Sequence, residues 1–232
     1  MKALLKTVVA VVTAGMAMFS MASEFKIGRA TLVLPDGNWV VLSENDASNS
    51  YGGDASGNIP AQAKWLALVD NNNQILALLG VRAAGSAVAG VKMSWNDRCK
   101  AQQNQTYHYD ATRGSLQDLD CLRSWESGNF EAWLKRFAPK NLEAVNEKGY
   151  KLPTTPVQFR HDIGTDNGTF INSTLFLASN FQGLPTGGPL QTNTTGREEL
   201  ARWLEAYAVA ARSSARSFSG NLVVPAINFS SK

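Results

Sequence analysis

The sequence predicts an α+β domain, a mostly antiparallel sheet of hairpins with one or two packed helices, spanning residues 23–232. Three observations carry that prediction. Short apolar runs recur between clusters of turn residues, which is the pattern of strands. Helical periodicity then appears twice, after Asn129 and after Thr195. Between those helices, Asp166-Asn167-Gly168 sits between two alternating segments, a favoured hairpin turn.

Along the chain, Phe25, Ile27, Arg29, Thr31 and Val33 alternate with their neighbours up to Pro35-Asp36-Gly37. Trp39-Val40-Val41-Leu42 follows, so residues 25–43 read as an N-terminal hairpin turning at the proline. Asn45 to Gln62 is rich in Asn, Ser, Gly and Asp and reads as a long loop. Trp65–Val69 and Ile75–Val81 are nearly continuous apolar runs around Asn71-Asn72-Asn73, as central strands buried on both faces require. A further strand is expected near Val88–Trp95, and a short or edge strand at Thr106–Tyr109.

Phe130, Trp133, Leu134 and Phe137 share one helical face after Asn129, an N-cap residue type. Pro139 breaks or kinks that helix, Leu142 and Val145 continue the pattern, and Gly149 stops it. Val157, Phe159, His161 and Ile163 alternate with Gln158, Arg160 and Asp162 in one arm of the central hairpin, and Phe170–Leu177 is the other. Ser179–Thr195 is a second long polar loop. A helix then follows, with Thr195 and Glu198 at capping-box spacing. Its apolar face is Leu200, Trp203, Leu204, Tyr207, Ala208, Ala211, Ala215 and Phe218; Glu198, Arg202, Glu205, Arg212 and Arg216 mark the other side. Asn221–Asn228 is a last short strand, and Pro225 places it at an edge.

Residues 1–22 read as a cleaved secretory signal peptide. Lys2 and Lys6 precede an apolar stretch from Val8 to Phe19, and Ser20-Met21-Ala22 supplies small residues before the cut. The stretch falls short of the roughly 20 residues of a spanning helix, so no stable transmembrane anchor is expected. Removing it changes the charge. The chain carries 22 basic and 19 acidic residues, or +3; without Lys2 and Lys6 the balance is 20 against 19, or +1. A near-neutral mature chain lacks the electrostatic footprint of a nucleic-acid binder. The expected compartment is periplasmic or extracellular. Cys99 and Cys121, the only cysteines, then read as a disulfide, ahead of free thiols or metal ligation. Metal ligation by His108, Asp97 or Asp110 fails on spacing, and no metal or cofactor is expected.

Catalytic constellations are sparse. The lipase elbow GxSxG is absent. Gly53-Asp54-Ala55-Ser56-Gly57 is a serine-protease signature broken by an inserted alanine. A histidine base would have to be His108 or His161. His161 sits on the apolar side of its strand and reads as structural; His108, between Tyr107 and Tyr109, reads as a solvated edge residue. Asp118 and Asp120, with Glu126 nearby, are the carboxylates a glycosidase could use if both aspartates shared a strand face. Trp39, Trp65 and Trp203 fall in apolar patterns and read as core. Trp95 and Trp125 bracket the cysteines, and with Arg98 they form either a cover over the disulfide or a partner surface. Asn167-Gly168-Thr169, Asn172-Ser173-Thr174 and Asn193-Thr194-Thr195 match glycosylation sequons, incidental behind a bacterial-type signal.

Ile27-Gly28-Arg29-Ala30 and Leu34-Pro35-Asp36-Gly37-Asn38-Trp39 resemble the start of small exported proteobacterial proteins without an assigned activity. Those chains also carry a cysteine pair and a late helix bearing tryptophan, as Cys99, Cys121 and Trp203 do here. The hairpin, loop and final amphipathic helix resemble the PsbP/Mog1-type α/β/α sandwich, which is the alternative architecture. The resemblance brings no catalytic residues with it. The functional expectation is a non-enzymatic exported domain that binds an envelope protein or cell-wall component through its long loops. The alternative is a secreted hydrolase with a dispersed site using His161, His108 or Asp118.

Overall fold

The computed structural model describes residues 23–51, 57–85, 94–95, 99–103, 105–112, 115–126, 128–154, 156–179, 194–217 and 220–228. The expected signal peptide and most of the expected strand near Val88 lie outside these. So do Arg98, most of Gly53–Gly57 and most of the 179–195 loop.

Ten strands and three helices are described, and the α+β reading holds. Seven strands form one antiparallel sheet: β3 (Trp39–Tyr51), β4 (Gly57–Val69), β5 (Ile75–Ala84), β9 (Phe170–Leu177), β8 (Val157–Gly164), β7 (Leu119–Glu126) and β6 (Gln105–Asp110), in that spatial order. A smaller sheet holds β1 (Ser23–Ile27), β2 (Ala30–Leu34) and β10 (Asn221–Val223), with β10 parallel to β2 at its edge. The helices are α1 (Phe130–Phe137), α2 (Pro139–Glu147) and α3 (Thr194–Arg216).

Alternation along β5 assigns the layers. Ala77, Leu79, Val81 and Ala83 pack with α3 and the small sheet, while Leu78 packs with α1 and α2. Helices therefore cover both faces of the large sheet, the layer order of an α/β/α sandwich. A third apolar cluster, with Trp95, Phe170, Ile59 and the two cysteines, occupies the α1–α2 side of the sheet at the opposite end.

Two expectations are corrected. The N-terminal hairpin turns at Gly28-Arg29, not at Pro35, and β3 leaves for the other sheet. Gly28 has φ of +57° and lies so close to the Ala84 carbonyl that no Cβ fits. Its N–H donates to Gln62 Oε1, and Arg29 N–H to the Ala84 carbonyl, pinning the turn to the large sheet. The polar stretch 45–62 is no loop: its described residues extend β3 and β4 as paired arms, from Asn45↔Ala63 to Tyr51↔Gly57. Backbone pairing there needs no apolar side chains, because β3 is an edge strand with much of its outer arm in water.

Local signals elsewhere match their physics. Asn129 Oδ1 accepts the Ala132 N–H at 2.9 Å, Pro139 starts α2, and Gly149 ends it with φ of +68°. The β8–β9 hairpin closes through Asp166-Asn167-Gly168, with Gly168 at φ of +80°. The last helix begins at Thr194, one residue before the expected cap. No helix among the described residues is long and apolar enough to cross a membrane.

Candidate functional site

The α1–α2 face of the large sheet is not uniformly apolar. At one end Phe130 and Trp133 of α1 pack on Trp65 and Phe176 of the sheet; at the other lies the disulfide cluster. Between them the strands carry a transverse polar band. Position pairing places it: Arg82 faces Asn172 across β5–β9, and Asn172 faces Asp162 across β9–β8. These residues floor an open cleft of about 840 Å³ that continues into a recess of about 190 Å³ beside Trp95 and Leu119. That is the size range of small-molecule sites.

The band is one hydrogen-bonded chain. Arg160 Nε donates to Asp162 Oδ2 at 2.7 Å, and Asn172 Nδ2 donates to Asp162 Oδ1 at 2.7 Å. Arg82 Nη2 donates to Asn172 Oδ1 at 3.2 Å and to Asn49 Oδ1 at 3.3 Å, and its Nη1 to the Ser48 carbonyl at 3.2 Å. Asp162 is buried, and each of its oxygens accepts a hydrogen bond, so it orients Arg160 and Asn172. Burial pulls the Arg82 guanidinium below its ordinary pKa; Asp162 opposes that and Arg160 adds to it. Arginine still remains charged at neutral pH. Arg160 pairs with Asp162 directly and Arg82 reaches it through Asn172, and among the described residues the Nη nitrogens of Arg160 have no protein partner.

The walls are mixed. Ser43 and Asn141 hydrogen-bond each other, tying α2 to β3, and Thr174 and Asn45 add further polar groups. Trp65 and the exposed Phe137 supply aromatic surface. Trp65 is therefore only partly core, a correction to its sequence reading. Gly80 lies under its ring, and Gly164 lies under the ring of Trp95 in the same way.

The other face holds a second polar group, beneath α3. Asp120 Oδ1 accepts from His161 Nε2 at 3.0 Å, and Arg212 Nε donates to Oδ2. Burial works against the Asp120 charge, but the hydrogen bonds from His161 and Arg212 outweigh it and hold the carboxyl below its usual range. Arg212 is raised: desolvation lowers it, and the bond to Asp120 more than compensates. Tyr207, edge-on to His161 with ring centroids 6.1 Å apart, is pushed up to about 12 by burial, and its hydroxyl is buried without a hydrogen-bond partner among the described residues. His161 is 2% exposed, so no substrate can reach its ring without moving α3. Its Nδ1 is buried and without a partner among the described residues.

The remaining sequence candidates scatter. His108 is exposed on edge strand β6, with Nε2 2.7 Å from the Cys99 carbonyl, to which it donates. Cys99 and Cys121 form the disulfide, with Cα atoms 5.3 Å apart. His108 Nε2 and the two sulfurs lie within 4.8 Å of one another, but bonded sulfurs offer no thiolate to a metal. Asp118 precedes β7, exposed, and receives the Ser115 hydroxyl at 3.5 Å, while Asp120 is buried under α3; they make no carboxylate pair. Trp95 is buried against the disulfide, whereas Trp125 is half-buried on β7 between Gln105 and Gln158. Arg98 lies outside the described residues.

Among the described sequence candidates, only Trp95 lines this region, at the smaller recess. Arg82, Arg160, Asp162 and Asn172 were missed because each is an ordinary polar residue alone; the one signal was Arg82 following the apolar run of β5. The Arg212–Asp120 pair was missed because they lie 92 residues apart. No protein-family model matches the chain, and neither does any curated protein or solved structure.

Proposed function

We propose that the mature chain is a non-enzymatic binding domain of the extracytoplasmic space that takes an envelope or cell-wall component into the cleft over β5, β8 and β9. One observation supports this above the rest. Among the described residues the cleft is lined by hydrogen-bonding groups that their neighbours orient, with no histidine among them; its buried carboxylate, Asp162, accepts on both oxygens, and its other carboxylate, Asp46, is exposed. Groups locked by their neighbours suit recognition, whereas acid–base work needs a group free to exchange a proton. The disulfide is compatible with an oxidising compartment, where the signal-peptide reading places the chain. The binding surface in this reading is the cleft, not the loops.

The test is thermal melting of the mature chain against soluble cell-wall fragments and envelope small molecules. A true ligand raises Tm by mass action. Ala63→Tyr, which fills the cleft from β4, is expected to abolish that shift while leaving the melting of the free protein nearly unchanged. A shift that survives Ala63→Tyr, or no shift across the whole collection, would overturn the assignment.

A further inference from the structure

Resting on that reading of the cleft, we infer that its ligand is a sugar acid: a pyranose ring carrying a carboxylate. Three independent features of the cleft converge on that chemistry.

The first is charge. Among the described lining residues the cations Arg82, Lys140 and Arg160 outnumber the carboxylates Asp46 and Asp162, and Asp162 accepts from Arg160 Nε and Asn172 Nδ2. Its Nε thus held, Arg160 is left with two Nη nitrogens, 44% of its side chain being exposed. A guanidinium braced on one edge presents a planar donor pair, which matches a carboxylate in a bidentate fork. The second is the neutral lining. Thr174 and Asn45 each carry a donor and an acceptor, and Ser43 Oγ, whose hydrogen goes to Asn141, still accepts; such neutral groups suit hydroxyls better than they suit a second anion. The third is aromatic surface at the same cleft: Trp65, held against the sheet by Gly80, and Phe137, 59% exposed. Aromatic faces receive the apolar C–H faces of a sugar ring, and leave little for a compact inorganic anion to use.

A bare phosphate would satisfy only the first feature, and a neutral sugar only the other two. The combination selects a ligand with both.

Calorimetric titration of the mature chain with glucuronate, a galacturonate trisaccharide, glucose and inorganic phosphate tests this. Glucuronate or the trisaccharide is expected to bind, with glucose and phosphate at least about tenfold weaker, the size of one lost charge-assisted contact. Arg160→Ala is expected to weaken the uronate by about tenfold or more, and Arg160→Lys to restore only part, since a point charge cannot fork. Arg160 is exposed, and far-ultraviolet spectra and melting curves matching those of the wild type are the required control that its variants fold. Glucose or phosphate binding as tightly as the uronate would overturn the sugar-acid inference and leave the cleft as a ligand site. Binding of neither uronate probe would overturn it equally, while the melting screen with Ala63→Tyr independently decides whether the cleft binds anything.

Discussion

Trp65 lies on Gly80: a Cβ at position 80 would come within 2.6 Å of the indole ring. The two are direct partners across β4–β5, so the missing side chain of one makes the resting place of the other. Gly80→Ala is expected to lift Trp65 from the sheet, costing about 1–3 kcal/mol as overpacking does. Urea unfolding would measure it. An unchanged midpoint with unchanged tryptophan fluorescence would mean that the ring has room to move.

The disulfide closes a separation of 22 residues across the cleft's far end. Replacing both cysteines with alanine is expected to cost about 3 kcal/mol, mainly by freeing the unfolded chain. The wild-type protein should lose a similar amount in dithiothreitol. A loss in reductant but none in the double variant would point to damage from the reductant itself.

Asp120 gives the fold an acid-sensitive point. Its carboxyl titrates below its usual range in the folded state, so its stabilising contribution is complete above the unfolded value of about 4. That contribution then fades as pH falls through the lowered folded value. Asp120→Asn is expected to cost about 3 kcal/mol at neutral pH, because Arg212 and His161 lose their partner. It should also flatten the decline in stability below about pH 4. Stability followed by urea titration from neutral pH downward checks both, and an equally steep decline in the variant would place the acid sensitivity elsewhere.

The two histidines separate binding from a histidine-based hydrolase. His108→Ala removes one surface hydrogen bond, to the Cys99 carbonyl, and should change stability by no more than about 1 kcal/mol. His161→Ala opens a buried site and should cost more, about 2–4 kcal/mol. Neither is expected to alter ligand-induced stabilisation or any cellular phenotype of the folded protein. Loss of phenotype in a well-folded His108→Ala protein would instead favour the hydrolase.

Much of the fold is legible in the sequence. The hairpin over 157–177, the break at Pro139, the stop at Gly149 and the cysteine pairing all rest on local chemistry: a turn that needs a glycine, a ring that removes an N–H, an isolated pair of thiols. The polar arms of β3 and β4 were not legible, because backbone pairing at a sheet edge leaves no apolar pattern to read.

The chain by itself determined the α+β class, the alternating strands and the apolar face of α3, since each follows from side-chain period within one segment. Tertiary structure alone decided the layering, the turn at Gly28, the inward reach of Arg212 to Asp120 and the cleft itself. Arg82, Asp162 and Asn172 come from three strands, and only sheet register sets them side by side. A sequence records which residues alternate along a strand; which polar residue meets which across the sheet is fixed by pairing over long separations.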